Sequence, residues 1–234
     1  MTPPVDDGAP RRVWLWWSTG KDSAWALHRL RADPSVVVER LVTTVTPRFG
    51  RVAIHGTRLA VLEAQAEAVG LPLERVELPW PCSNEAYEAA VAPAIRRAEE
   101  EGVHAMAFGD LFLEDVRAYR EALLAGSPLA PLFPLWASDT GVLAGEMVAA
   151  GVTARITSLD PDRLDPALAG APWDGDFLAS LPEGVDPCGE NGEFHTCVAH
   201  GPGFGEALPL EPGEVVEREG FVYADLVLPG DGGD

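Results

Sequence analysis

The stretch Val13-Trp14-Leu15-Trp16-Trp17-Ser18-Thr19-Gly20-Lys21-Asp22-Ser23, continuing as Ala24-Trp25-Ala26-Leu27-His28-Arg29-Leu30, constrains the fold more than any other. A short apolar, aromatic-rich run bounded by Ser and Gly signals an interior strand, and the apolar positions after Asp22 recur at helical spacing. A strand that ends in a tight polar loop and restarts as a helix aims free backbone N–H groups and the positive end of a helix dipole at one spot. That junction favours an anion, best a phosphate. Ser18 and Ser23 add hydroxyls, Gly20 lets the backbone approach closely, and Lys21 sets a compact ammonium beside phosphate oxygens. Asp22 caps the helix or holds a magnesium ion carried by the phosphates. Lys21 is the only lysine in the chain. The plainer reading of these residues is an ordinary N-capped helix after a strand.

Beyond this stretch, strands and helices alternate. Residues 36–45 read as a second strand, 56–69 as a helix stopped by Gly70, and 73–78 as a third strand. Residues 83–101 read as a helix with Ser83 as N-cap, and 104–109 as a fourth strand. Such alternation predicts right-handed βαβ units, a parallel sheet and an α/β fold, with ligands beyond the carboxyl ends of the strands. Asp110 lies at one such end. Arg117 and Arg120, three apart on the next helix, can share a face and clamp an anion, or can simply be a solvated, ion-paired face.

The proline-rich run Ser127–Trp136 suits neither a helix interior nor a central strand. It suggests a boundary between a nucleotide-binding domain at 11–126 and a smaller α+β substrate domain at 127–230. In the second, 139–150 reads as a helix, 152–159 as a strand, 173–181 as a short helix, and 215–228 as a hairpin turning near Glu219-Gly220.

A third stretch, Cys188-Gly189-Glu190-Asn191-Gly192-Glu193-Phe194-His195-Thr196-Cys197, gathers carboxylates, an imidazole, a hydroxyl and glycines. Glu190, Glu193 and His195 suit acid–base work, and Thr196 suits substrate anchoring. Three other readings stand beside it: zinc on Cys188, His195 and Cys197, a nucleophilic cysteine, or a plain glycine-rich turn.

A net charge of -20 disfavours nonspecific contact with nucleic acid or anionic membrane. Three cysteines argue against a disulfide framework. Residues 1–10 carry no apolar signal segment and no run reaches the length of a membrane span, so a cytoplasmic protein with loose ends at 1–10 and 229–234 is expected.

The loop is neither G-x-x-x-x-G-K-[ST] nor G-x-G-x-x-G. It resembles the S-G-G-K-D-S loop of PP-loop ATP pyrophosphatases, with Thr19 where glycine is usual. Three features in order, the loop, Gly109 with Arg117, Arg120 and Glu121, and Gly189–Thr196 against G-E-G-G-E-[FY]-E-T, resemble the diphthine ammonia ligase family. The resemblance implies a parallel-sheet α/β/α sandwich of the adenine nucleotide alpha hydrolase, Rossmann-like type. It implies that Ser18, Thr19, Gly20, Lys21, Asp22 and Ser23 bind ATP, that Asp22 binds magnesium, and that Asp110, Arg117, Arg120, Glu190, Glu193 and Thr196 face the acceptor. Lys21, Glu190, Glu193 and His195 would carry the chemistry. A carboxylate of the acceptor would attack the α-phosphate, pyrophosphate would leave, and ammonia would displace AMP. A homodimer fits this picture. His195 stands where the family has glutamate, and the Asn-Gly-Glu-Phe-His form resembles a bacterial subgroup proposed for cobalamin salvage. Thr19 also motivates a second reading, an ATP-binding regulatory module without turnover, because a β-branched residue is costly at positive φ and its Cβ would crowd the pyrophosphate.

Overall fold

The computed structural model describes residues 9–53 and 55–230. The expected loose ends fall almost wholly outside them. The order of elements is β1 (Arg11–Trp16), α1 (Lys21–Ala32), β2 (Val36–Thr46), β3 (Arg51–Val52), α2 (Leu59–Val69), β4 (Leu73–Glu77), α3 (Asn84–Glu100), β5 (Ala105–Ala107), α4 (Glu114–Leu123) and β6 (Ala130–Leu132). Then come α5 (Thr140–Ala149), β7 (Thr153–Leu159), β8 (Pro172–Trp173), α6 (Gly175–Ser180), β9 (Phe194–His200), β10 (Glu211–Arg218) and β11 (Phe221–Val227).

The first sheet has six strands, all parallel except β3. Both β1 and β4 pair with Leu41 and Val42 of β2, from opposite edges. The parallel strands therefore run β4-β2-β1-β5-β6. Succession turns back between β1 and β5, and a crevice opens where the strand order reverses. Alternation along β1 serves both faces. Val13, Leu15 and Trp17 enter a core with α1 and α2, while Trp14 and Trp16 enter a second core with α3. A parallel strand covered on both sides reads as a continuous apolar run.

The second sheet is antiparallel, with order β10-β11-β7-β8 and β9 along the other edge of β7. Its buried residues Ile156, Trp173, Phe194 and Val198 belong to the same core as Val13 and Leu27 of the first half. No helix among the described residues is long and apolar enough to cross a membrane.

Several expectations shift. The helix expected from Gly56 begins at Leu59, because Gly56 sits at a φ of 67° in the turn after β3. The proline-rich run yields β6, an edge strand beside β5, so the first sheet takes a strand from beyond residue 127. Trp173 ends β8 instead of starting a helix, since Asp174 accepts from the N–H groups of Asp176 and Phe177 and starts α6 only at Gly175. The latter part of the glycine-rich stretch is β9.

Candidate active site

The loop after β1 folds on itself. Ser18 Oγ donates to Ser23 Oγ at 3.2 Å, and Ser23 Oγ donates to the Gly20 carbonyl at 2.9 Å. Gly20 caps α1 with no side chain, so the N–H groups of Asp22 and Ser23 have no intrahelical acceptor. The N–H of Lys21 donates to Thr196 Oγ1 at 3.2 Å, which brings β9 against the helix start. Gly109, at the end of β5, lies so close to α1 that a Cβ there would stand 3.1 Å from Ser23 N. A larger residue there would press α1 away by a few tenths of an ångström.

Thr19 has a φ of 72° and is fully buried. Its hydroxyl lies 2.9 Å from that of Thr57, and its carbonyl accepts from Gln65 Nε2 at 3.1 Å and from the N–H of Val198 at 3.0 Å. The side chain thus turns into the interior and away from the cradle. The expected crowding of an anion does not arise.

Two adjoining clefts open at the carboxyl ends of the strands. The smaller, about 290 Å³, is walled by Ser18, Gly20, Lys21, Asp22 and Ser23 on one side and by Glu190, His195 and Thr196 on the other, with Asp110 and Arg120 between. The larger, about 670 Å³, is lined by Trp16, Trp80, Tyr87 and Tyr119 with Leu78 and Pro79. Ser18, His55 and Arg120 line both.

Lys21 is 2% exposed. Its Nζ donates to Asp22 Oδ2 at 2.9 Å and to the Cys188 carbonyl, and it lies over the rings of Trp173 and Phe194. Burial works against its charge, but Asp22 and the other acidic groups around it outweigh burial and hold its pKa above the ordinary value. For Asp22, burial outweighs Lys21 and the carboxyl pKa is raised. Burial likewise raises Asp110 against the pull of Arg120. Glu190 Oε1 accepts from the N–H of Leu111 at 2.8 Å. Burial, reinforced by Asp22 and Asp110, still pushes its pKa up to about 7. Burial and Lys21 bring His195 down to about 4.

The other named residues lie elsewhere. Arg117 pairs with Glu121 at 2.8 Å and sits over Phe133 and Trp136, outside both clefts. Only Arg120 turns inward, donating to Tyr87 Oη at 3.2 Å and lying 3.5 Å from Asp110 Oδ2. The expected two-arginine clamp is not formed. Glu193 is 2% exposed and lines neither cleft. Its oxygens accept from the N–H groups of Asp186 and Asn191 and from Asn191 Nδ2, so it braces the turn that carries Glu190.

The geometry lends no support to the zinc and nucleophile readings. Among the described residues no group of three or more His, Cys, Asp or Glu side chains is placed to hold a metal. Burial pushes both Cys188 and Cys197 up to about 12, so each stays a thiol. A magnesium ion carried by a ligand's phosphates is a different case, since it needs only one or two protein carboxylates. Asp22 Oδ1 and Asp110 Oδ2 fit it, being buried oxygens without a hydrogen-bond partner. The residue that sequence reasoning missed is His55. It follows a strand end and precedes Gly56, and only the fold carries it to the site.

Residues 11–125 match the family model of the diphthamide synthase N-terminal domain. A diphthine–ammonia ligase of Danio rerio is 29% identical over 179 residues, which is 69% of this chain and 69% of that protein.

Proposed function

We propose that the chain is an ATP-dependent ligase that turns a carboxylate into an amide, a reading supported by its similarity to the diphthamide synthase N-terminal domain over residues 11–125 and to a diphthine–ammonia ligase. The observation that carries the reading is the meeting, in one cleft, of the Ser18–Ser23 loop with Glu190 and Thr196. One wall suits an anion; the other suits an acyl group and its proton traffic.

In this reading the pyrophosphate end of ATP lies on the loop and the nucleoside lies in the larger, aromatic cleft. The acceptor carboxylate attacks the α-phosphorus, a new O–P bond forms, and the bond to the β-phosphate breaks with its electron pair leaving on pyrophosphate. Ammonia then attacks the acyl carbon and AMP departs. Lys21 and the N–H groups of Asp22 and Ser23 take up the charge that grows on the leaving group. Asp22 and Asp110 would hold magnesium, which neutralises phosphate charge when bound. Glu190 removes the proton of the attacking nitrogen, since a base poised near neutral pH serves that step best. Thr196 anchors the loop against the acceptor wall. His195, where the family has glutamate, brings a donor and an acceptor in place of a carboxylate, and so favours an acceptor other than diphthine.

The test is to incubate the protein with magnesium, ammonium and α-labelled ATP, with and without cell extract as a source of acceptor. AMP with pyrophosphate supports the ligase. ADP would overturn it, and bound, uncleaved ATP under every condition would make the chain a regulatory module.

A further inference from the structure

His55 lies outside all three stretches that the sequence singles out, yet it occupies the boundary between the two clefts. The imidazole lines both, its ring stands 4.6 Å from that of His195 between centroids, and Nδ1 is buried without a hydrogen-bond partner. The ring's hydrogen-bonding capacity is therefore not filled by the protein itself.

The loop between β3 and α2 is also held in place. Asp225 on β11 accepts from Arg51 Nη1 at 2.7 Å and from Arg58 Nε and Nη2 at 2.9 and 2.6 Å. Arg51 Nη1 donates in addition to the Gly56 carbonyl at 2.7 Å. Arginines on both flanks of His55 are thus tied to one carboxylate of the C-terminal hairpin, and the ring is aimed by the other half of the molecule.

With a nucleoside in the larger cleft and pyrophosphate on the loop, the α-phosphate spans the boundary where His55, Ser18 and Arg120 converge. We infer that His55 is a catalytic residue whose imidazole N–H donates a hydrogen bond to a non-bridging oxygen of the α-phosphate as the acceptor attacks. This rests on the nucleotide reading of the site. His55 keeps its proton throughout; the bonds made and broken are those at phosphorus. Burial, helped by His195 and Lys21, keeps the His55 pKa well below its usual value, so the ring offers one N–H donor without adding charge to the ground state. A donor placed where charge develops lowers the barrier without tightening substrate binding.

The test uses the full chain with magnesium and α,β-methylene-ATP, an analogue that cannot be cleaved between the α- and β-phosphates. Imidazole resonances are followed by NMR in protein labelled at its five histidines, with His55 assigned through His55→Gln. At saturation the His55 signals shift while those of His28 and His104 stay in place. Binding with the His55 signals unmoved overturns the inference and leaves the nucleotide reading standing. Failure of the analogue to bind, read by calorimetry, overturns both. In AMP release from α-labelled ATP, His55→Leu is about 100-fold slower and His55→Gln, which keeps an N–H donor, recovers about tenfold of that loss. Analogue affinity stays within about threefold in both variants. Rates equal to wild type in both variants overturn the inference even where ATP is cleaved normally.

Discussion

Thr19 holds a β-branched side chain in the left-handed region, which costs about 1–2 kcal/mol against glycine. Its hydroxyl lies 2.9 Å from that of Thr57, so Thr19→Gly relieves backbone strain but removes this hydrogen bond and a buried methyl, at about 1–3 kcal/mol together. The expected balance is a loss of about 1 kcal/mol, a melting temperature about 2–4 °C lower, and ATP affinity within about threefold of wild type. A higher melting temperature would mean that strain dominates. Lys21→Ala removes a charge-assisted donor from the floor of the cleft and strands Asp22. ATP affinity should fall by about tenfold or more, and calorimetry that finds it unchanged would remove Lys21 from the phosphate site. Glu190 gives a direct reading of the site's electrostatics. In the metal-free protein its carboxyl, followed by carbon-13 NMR, should titrate near pH 7, and a midpoint near 4.5 would show the site to be wetter than its packing implies. Because the folded pKa is raised, the associated stability is full below the unfolded pKa and is lost as pH rises from about 4.5 to about 7. The spacing of Ser18, Gly20, Lys21, Asp22 and Ser23 made the tight loop between β1 and α1 readable from sequence. The direction of each side chain was not, since it depends on Thr57, Gln65, Cys188 and Thr196, all distant in the chain.

At the scale of elements, the turn from Asp186 to Glu193 shows why a motif can be found and a role misassigned. Glycines and carboxylates announce a site, but only the fold reveals that Glu190 faces the cleft while Glu193 ties the turn's own N–H groups. Glu193→Ala leaves these donors without partners at a buried position. It should lower the melting temperature by about 5 °C or more and slow AMP release through loss of Glu190 placement, with ATP affinity little changed. An unchanged melting temperature would refute the brace. β9 escaped notice because its polar residues follow no simple alternation: His195 faces His55 in the cleft, while Thr196 meets the loop. The helix α4 carried the opposite lesson. Arg117 and Arg120 have spacing for a shared face, but Phe133 and Trp136 draw the first outward, and no local pattern reports a cation's aromatic neighbour.

For the whole molecule, the strand–helix alternation made the parallel sheet legible, because two-sided burial writes long apolar runs into the sequence. How the halves meet was not legible, since residues 143–147, 173 and 194 join the core of residues 13–27 only through long-range packing. The Asp225 clamp is part of that junction. The two arginines outweigh the effect of burial and bring the Asp225 pKa to about 2, so its stabilisation is present above the unfolded value and disappears as pH falls from about 4 to 2. With allowance for partial screening it amounts to about 1–2 kcal/mol. Asp225→Asn should abolish that part of the acid sensitivity, measured by denaturant midpoints at pH 3 and 7, and equal loss in both proteins would dismiss the clamp.

Gln65 accepts from Trp17 Nε1 at 2.8 Å, and its Nε2 donates to the carbonyls of Thr19 at 3.1 Å and Val198 at 2.7 Å. One amide therefore rivets α2, the loop after β1 and β9 together. In hydrogen exchange the N–H groups of Trp17 and Val198 should open at a common free energy, as members of one cooperative unit, although 181 positions separate them in the chain. In Gln65→Leu the two should separate, with the loop exchanging first. A site assembled this way has no resting half: it is either wholly formed or wholly lost.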